Sequence, residues 1–160
     1  MGSYFLDTSA LVKRYVTELG SEWVEAQCRP AAENMIIISQ ATLVEVVATF
    51  CRKAREQNIS QRISEADRDW NITLFRQDVR QQYNVVRVTA TLYTRAGDLC
   101  RLHRLRAYDA VQLACALAVR NKLASLGIQA LTFVSADTEL LAIASAEGLN
   151  IENPNDYQFD

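Results

Sequence analysis

Short apolar runs of β-branched and aromatic residues alternate along this chain with longer stretches whose apolar positions recur every three or four residues. The runs at Tyr4–Leu6, Met35–Ile38, Val85–Val88, Leu131–Val134 and, more weakly, Leu149–Ile151 predict five strands. Helical spacing predicts helices over Ser9–Glu18, Ser21–Cys28, Gln40–Gln57, Ser64–Gln82, Thr89–His103, Ala107–Ser125 and Thr138–Glu147. Gly20, Asn58-Ile59-Ser60, Gly127 and Gly148 fall between these segments, where turn residues belong. Strands that alternate with helices imply an α/β sandwich on a mostly parallel sheet. The stretch from Arg52 to Arg80 is the most polar. It reads either as a helical hairpin projecting from the sheet or as a solvated pair of helices packed flat.

With 160 residues, 49% of them hydrophobic, the simplest organisation is one domain spanning 1–160 with an ordinary core. The longest apolar stretches fall short of the roughly 20 residues a membrane span needs, and the N-terminus lacks the zones of a secretory signal. No membrane association is therefore expected, and a cytoplasmic location is. Cys28, Cys51, Cys100 and Cys115 form no CxxC pair and read as small core hydrophobes, and the single histidine, His103, excludes a His-rich zinc site.

Four acids fall at or just beyond transitions from apolar run to helix: Asp7, Glu45, Asp109 and Asp137. In a parallel sheet the C-terminal strand ends share one edge, so these positions suggest a single carboxylate cluster. Asp7 and Asp137 could each be ordinary helix N-caps, with Ser135 an equally good cap beside the latter. Glu45 lies in Leu43-Val44-Glu45-Val46-Val47, where little else is polar, although a lone Glu can point to solvent. Asp109 opens a helix that is apolar on nearly every face apart from Gln112, and burying a carboxylate there costs several kcal/mol without a positive partner. Oxygen ligands without His or Cys suit Mg2+ or Mn2+. The formal charge of −2 does not exclude RNA as a partner: setting the four acids aside from 19 acidic residues leaves 15, against 17 basic ones.

The segments YFLDTSALVKRY, SQATLVEVV, LRAYDAVQLACAL and FVSADTELLAIASAEGLNIENP together resemble the PIN-domain ribonucleases, most closely the VapC-type toxins of toxin–antitoxin modules. The resemblance spans nearly the whole chain. It implies a three-layer α/β/α sandwich around a parallel five-stranded sheet, with Asp7, Glu45, Asp109 and Asp137 as the catalytic, metal-binding quartet and Thr8, Ser9 and Ser135 as hydroxyl neighbours. It also implies Mg2+- or Mn2+-dependent endoribonuclease activity, a cognate antitoxin partner and a homodimer, with the polar 52–80 region corresponding to the family's helical clip.

RNA contact requires cations near the acids. Lys13 and Arg14 follow the first motif, and Arg101, Arg104 and Arg106 precede Asp109, although charge runs are commonly solvated faces. Phe5, Phe50, Phe75 and Phe133 occupy core-like positions, which leaves little support for a base-stacking platform. No GxxxxGK[ST] or GxGxxG sequence is present, so nucleotide-cofactor classes lack support. A receiver domain would need paired acids and a late Lys, which are not evident. Two other readings stay open: a binding module whose acids are caps, and a housekeeping RNA-processing or DNA nuclease with the same carboxylates.

Overall fold

A computed structural model describes residues 1–128 and 130–157. Five strands form the sheet: β1 (Ser3–Leu6), β2 (Met35–Ser39), β3 (Asn84–Val86), β4 (Leu131–Val134) and β5 (Asn150–Glu152). Every neighbouring pair is parallel, in the order β3-β2-β1-β4-β5. The helices are α1 (Thr8–Leu11), α2 (Ser21–Cys28), α3 (Thr42–Ala54), α4 (Glu65–Gln81), α5 (Ala90–Leu102), α6 (Ala107–Ser125) and α7 (Thr138–Ala146).

Side-chain alternation along the strands divides the core in two. Phe5, Ile37, Leu131 and Phe133 point to one face, where α5, α6 and α7 cover them with Leu92, Leu99, Leu113, Leu117 and Leu140. Leu6, Ile36, Ile38 and Val134 point to the other, against Leu11, Val24, Val46, Phe50 and Phe75 from α1 to α4. The result is a three-layer α/β/α sandwich. Its four core-like phenylalanines are at most 1% exposed.

The chain winds from β1 outward to β2 and β3, then crosses back to place β4 on the other side of β1. Connections leaving β1 and β4 therefore run to opposite faces. Their diverging paths open a crevice at the C-terminal ends of these two strands, which is where ligands bind in open α/β sheets.

Several local details differ from the expected ones. The helix expected over Ser9–Glu18 is cut short, with one α turn followed by a 3-10 turn at Val12–Arg14. Tyr15 accounts for the break: its ring packs edge-on against Phe50 and Phe75, and its hydroxyl donates to Asp78 at 2.7 Å. Helix α4 sets Phe75 and Asn71 into the fold and leaves Trp70 62% exposed on its outer side. The cysteines are all free, but only Cys28 and Cys115 are buried. Cys100, expected in the core, is exposed.

Candidate active site

Asp7 follows the last residue of β1 and keeps the sheet register for one more step, its N–H donating to Val134 O at 3.0 Å. Its side chain then caps α1, because Oδ1 accepts from Ala10 N at 2.9 Å and from Ser9 Oγ at 2.7 Å. Oδ2 accepts from Ser135 Oγ at 2.6 Å, a bond from the end of β4 to the end of β1. Asp7 is only 5% exposed, and burial pushes its pKa up to about 6 despite the hydrogen bonds from Ser135, Ala10 and Ser9.

Asp137, rather than Ser135, caps α7. Asp137 Oδ1 accepts from the N–H groups of Glu139 and Leu140 at 2.9 and 3.1 Å. Ser135 is drawn inward instead, receiving Asp137 N at 3.0 Å while donating to Asp7. Ser9 Oγ receives Ala136 N at 2.9 Å, so two serine hydroxyls stitch the two strand ends together.

Glu45 projects from the first turn of α3. Its Oε1 accepts from Thr8 Oγ1 at 3.1 Å and from Gln112 Nε2 at 2.7 Å. Burial raises its pKa, with those two bonds opposing the shift. Asp109, in the first turn of α6, is raised by burial and then by the Asp137 charge, with Arg106 opposing. Asp109 in turn raises both Asp7 and Glu45. Asp109 is thus close enough to share charge effects with each of the other three, which four elements bring into one neighbourhood.

All four acids, with Thr8 and Ser9, line a single cleft of about 580 Å³. Among the described residues, no group of three or more His, Cys, Asp or Glu side chains is placed to hold a metal ion as it stands. The donor set nonetheless fits Mg2+ or Mn2+. Mg2+ binds through one or two carboxylates and retains waters, and the four carboxylates of the cleft supply oxygen donors of that kind.

The basic residues divide. Arg106 lines the cleft, and together with Arg104 it lines an adjoining cavity that shares Asp109 and Asp137. Arg101 is exposed in the last turn of α5 and lines neither. Arg14, expected at the RNA surface, is instead tied into the fold by Tyr83 at 2.7 Å, Gln82 at 3.0 Å and Asp78 at 3.3 Å, because a largely buried guanidinium must satisfy its donors internally. Lys13 reaches the cleft wall, but it is 5% exposed and its Nζ is held by Glu18 at 3.2 Å and Leu19 O at 2.8 Å.

Sequence reasoning missed Arg52 and Lys53, which line the cleft from α3, and Gln112. Arg52 lies seven residues after Glu45, two helical turns along the same face, so the spacing held the signal. Gln112 is the one polar residue in the apolar run of α6, three positions after Asp109.

A family model of the PIN domain matches residues 4–146. The chain belongs to the PIN domain family. Among its relatives, Ribonuclease VapC45 of Mycobacterium tuberculosis (strain CDC 1551 / Oshkosh) is 36% identical over 116 residues, covering 72% of this chain and 75% of its own. Ribonuclease VapC49 of strain ATCC 25618 / H37Rv matches with the same figures. The solved VapBC2 structure from Rickettsia felis, bound to a promoter DNA fragment, superposes with a TM-score of 0.59 at 16% identity, covering 94% of this PIN chain and 98% of that one. Mycobacterium tuberculosis VapC20, described as a sarcin-ricin loop cleaving toxin, gives 0.58 at 18%, covering 91% and 95%. These structural likenesses establish a shared fold. Among the described residues, no helix is long and apolar enough to cross a membrane.

Proposed function

We propose that this PIN domain is a Mg2+- or Mn2+-dependent endoribonuclease acting in the cytoplasm as the toxin of a toxin–antitoxin module, with a cognate antitoxin as partner and a homodimer as its assembly. The observation that carries the reading is the meeting of Asp7, Glu45, Asp109 and Asp137, from four separate elements, in one cleft where Asp109 is coupled to each of the others. The ribonuclease names of the 36%-identical relatives support the substrate class, and a toxin–antitoxin complex from Klebsiella pneumoniae among the fold neighbours supports the partner.

Asp7 and Asp109 would be the principal metal ligands, with Glu45 and Asp137 either binding through water or positioning the attacking water. When bound, the metal supplies a Lewis acid that offsets phosphate charge and makes water a stronger nucleophile near neutral pH. The chain's own residues supply the rest. Ser9 and Ser135 hold both oxygens of Asp7 in fixed directions. Gln112 and Thr8 occupy Glu45 Oε1, leaving Oε2 to take the proton of the attacking water. Arg104 and Arg106 bind the phosphate flanking the cleft. Water adds to phosphorus, one P–O ester bond breaks, and the departing oxygen takes a proton from solvent.

The test is cleavage of single-stranded and structured RNA by the purified protein with Mn2+ or with chelator, alongside Asp7→Asn. Absence of metal-dependent cleavage, or full activity in the Asp7 variant, sinks the reading. A second measurement addresses the arginines. Changing Arg104 and Arg106 to Gln is expected to weaken RNA binding and to flatten the plot of log affinity against log salt by about 0.7 for each phosphate left without its arginine. An unchanged slope would return both arginines to the solvated face.

A further inference from the structure

Gln112 is 2% exposed in the most deeply buried part of α6. Its neighbours in the helix, Ala110, Val111, Leu113, Ala114 and Cys115, are all apolar and buried. A Leu or Met would fill such a position without any polar atom. Gln112 instead carries a buried carbonyl oxygen, Oε1, with no hydrogen-bond partner among the described residues. Leaving a buried acceptor unpaired costs about 1–3 kcal/mol, so packing alone does not explain the residue.

The other half of the amide does explain it. Nε2 donates to Glu45 Oε1 at 2.7 Å and to Thr42 Oγ1 at 2.9 Å, and lies 3.4 Å from Thr8 Oγ1. Turning the amide over would set its carbonyl against the Glu45 carboxylate, acceptor against acceptor. The orientation that orphans Oε1 is therefore the one a negatively charged Glu45 selects. These bonds tie α6, α3 and the start of α1 together at one point. They also place Glu45 relative to Asp109, which stands one helical turn before Gln112 on the same face of α6.

We propose that Gln112 is a positioning residue: its amide nitrogen fixes the Glu45 carboxylate in the cleft and holds α3 and α6 at the separation the acidic site requires. This rests on the metal-dependent nuclease reading above. In this role Gln112 acts through Glu45, to which its amide donates at 2.7 Å. A glutamate freed of this donor would retain its charge but distribute it over several rotamers, so fewer molecules would present it correctly at any moment.

The test is Gln112→Met, which keeps the volume and removes both the donor and the orphaned carbonyl. Calorimetric titration with Mn2+ is expected to show roughly tenfold or more weaker binding, in the range seen when partners of metal-ligating groups are removed. With RNA, kcat is expected to fall by a similar factor while KM changes little, because the interaction matters at the reacting phosphate and not to overall binding. Thermal stability in chelator is expected to change little, because losing the donor to Thr42 and Glu45 is offset by removing the orphaned carbonyl. A residue serving only the core would show the opposite pattern, with lower stability and unchanged Mn2+ affinity. In a Glu45→Gln background the same substitution is expected to have little further effect on Mn2+ binding, since the group it acts through is already altered. Gln112→Leu repeats the measurement should methionine pack poorly. Wild-type Mn2+ affinity and kcat in both variants, or losses that simply add to those of Glu45→Gln, overturn the proposal. Asp7→Asn serves as the separate control: if it still binds Mn2+ like the wild type, the metal-site reading itself fails and the role of Gln112 falls with it. Loss of Mn2+ binding there, with wild-type behaviour of the Gln112 variants, removes only the positioning role.

Discussion

Asp109→Asn is expected to lower metal-dependent RNA cleavage by roughly a thousandfold, equivalent to about 4 kcal/mol of barrier. Asp109 links the cluster: burial and then Asp137 raise it, and its own charge raises Asp7 and Glu45. No hydrogen bond enters among the causes of its shift, so an amide of the same shape removes charge without stranding a donor. Losing a negative charge from the first turn of α6 forfeits about 0.3–1 kcal/mol of helix-dipole attraction, while relief of repulsion from three acids acts the other way. The variant should therefore fold with an unchanged or raised melting midpoint in chelator. Single-turnover cleavage with Mn2+ is the measurement, and a rate within tenfold of the wild type removes the carboxylate-centred mechanism.

Asp7→Asn is expected to stabilise the metal-free protein above neutral pH. The folded-state pKa of about 6 lies above the ordinary 3.8, chiefly because the carboxyl is buried. Protons are therefore held more tightly by the folded chain than by the unfolded one. The contribution of Asp7 to stability is fully present below pH 3.8 and is lost as pH rises through 6. By pH 8 the charged group costs about 3 kcal/mol as an upper figure, at 1.36 kcal/mol per unit. Asparagine avoids that cost and can keep the network. Its carbonyl accepts from Ala10 and Ser9, its amide donates to Ser135, and the Ser135 hydroxyl turns toward Ser9, 3.3 Å away. Denaturant melts in chelator should show the variant more stable by about 1–3 kcal/mol at pH 8 and equal to the wild type near pH 3.5. Saturating Mn2+ should reverse the order at pH 8 by stabilising only the wild type. A difference between the two proteins that does not vary with pH would remove the explanation.

Much of the architecture is legible in the sequence because local and global signals agree. Tyr4–Leu6 and Leu131–Val134 are short, apolar and bounded by Asp or Ser, and they pair side by side at the centre of the sheet. The edge strands are displaced by a residue or two from their expected places, since Asn84 and Glu152 pair despite a polarity that argues against strand. What the sequence hides is the destination of long side chains. Lys13 and Arg14 are basic in any sequence reading, and only tertiary partners such as Glu18, Asp78 and Tyr83 turn them inward. The exchange of roles between Ser135 and Asp137 is equally inaccessible, because it depends on Asp7 lying across the sheet, 128 positions away from Ser135 in the chain. Gln112 stands out as a polar interruption, yet its meaning requires Glu45 to be placed opposite it.

The pairing of β1 with β4 also bears on translation. Ser135, which orients Asp7, is synthesised 128 residues after it, and Asp137 follows Ser135. At about 5–20 residues per second, a growing chain spends several seconds with β1 lacking the strand that completes its edge of the cleft. A stalled or truncated product ending before Leu131 has neither β4 nor the fourth acid. On the proposed nuclease reading, such a product lacks the complete acidic site and would be inactive beside the ribosome that makes it.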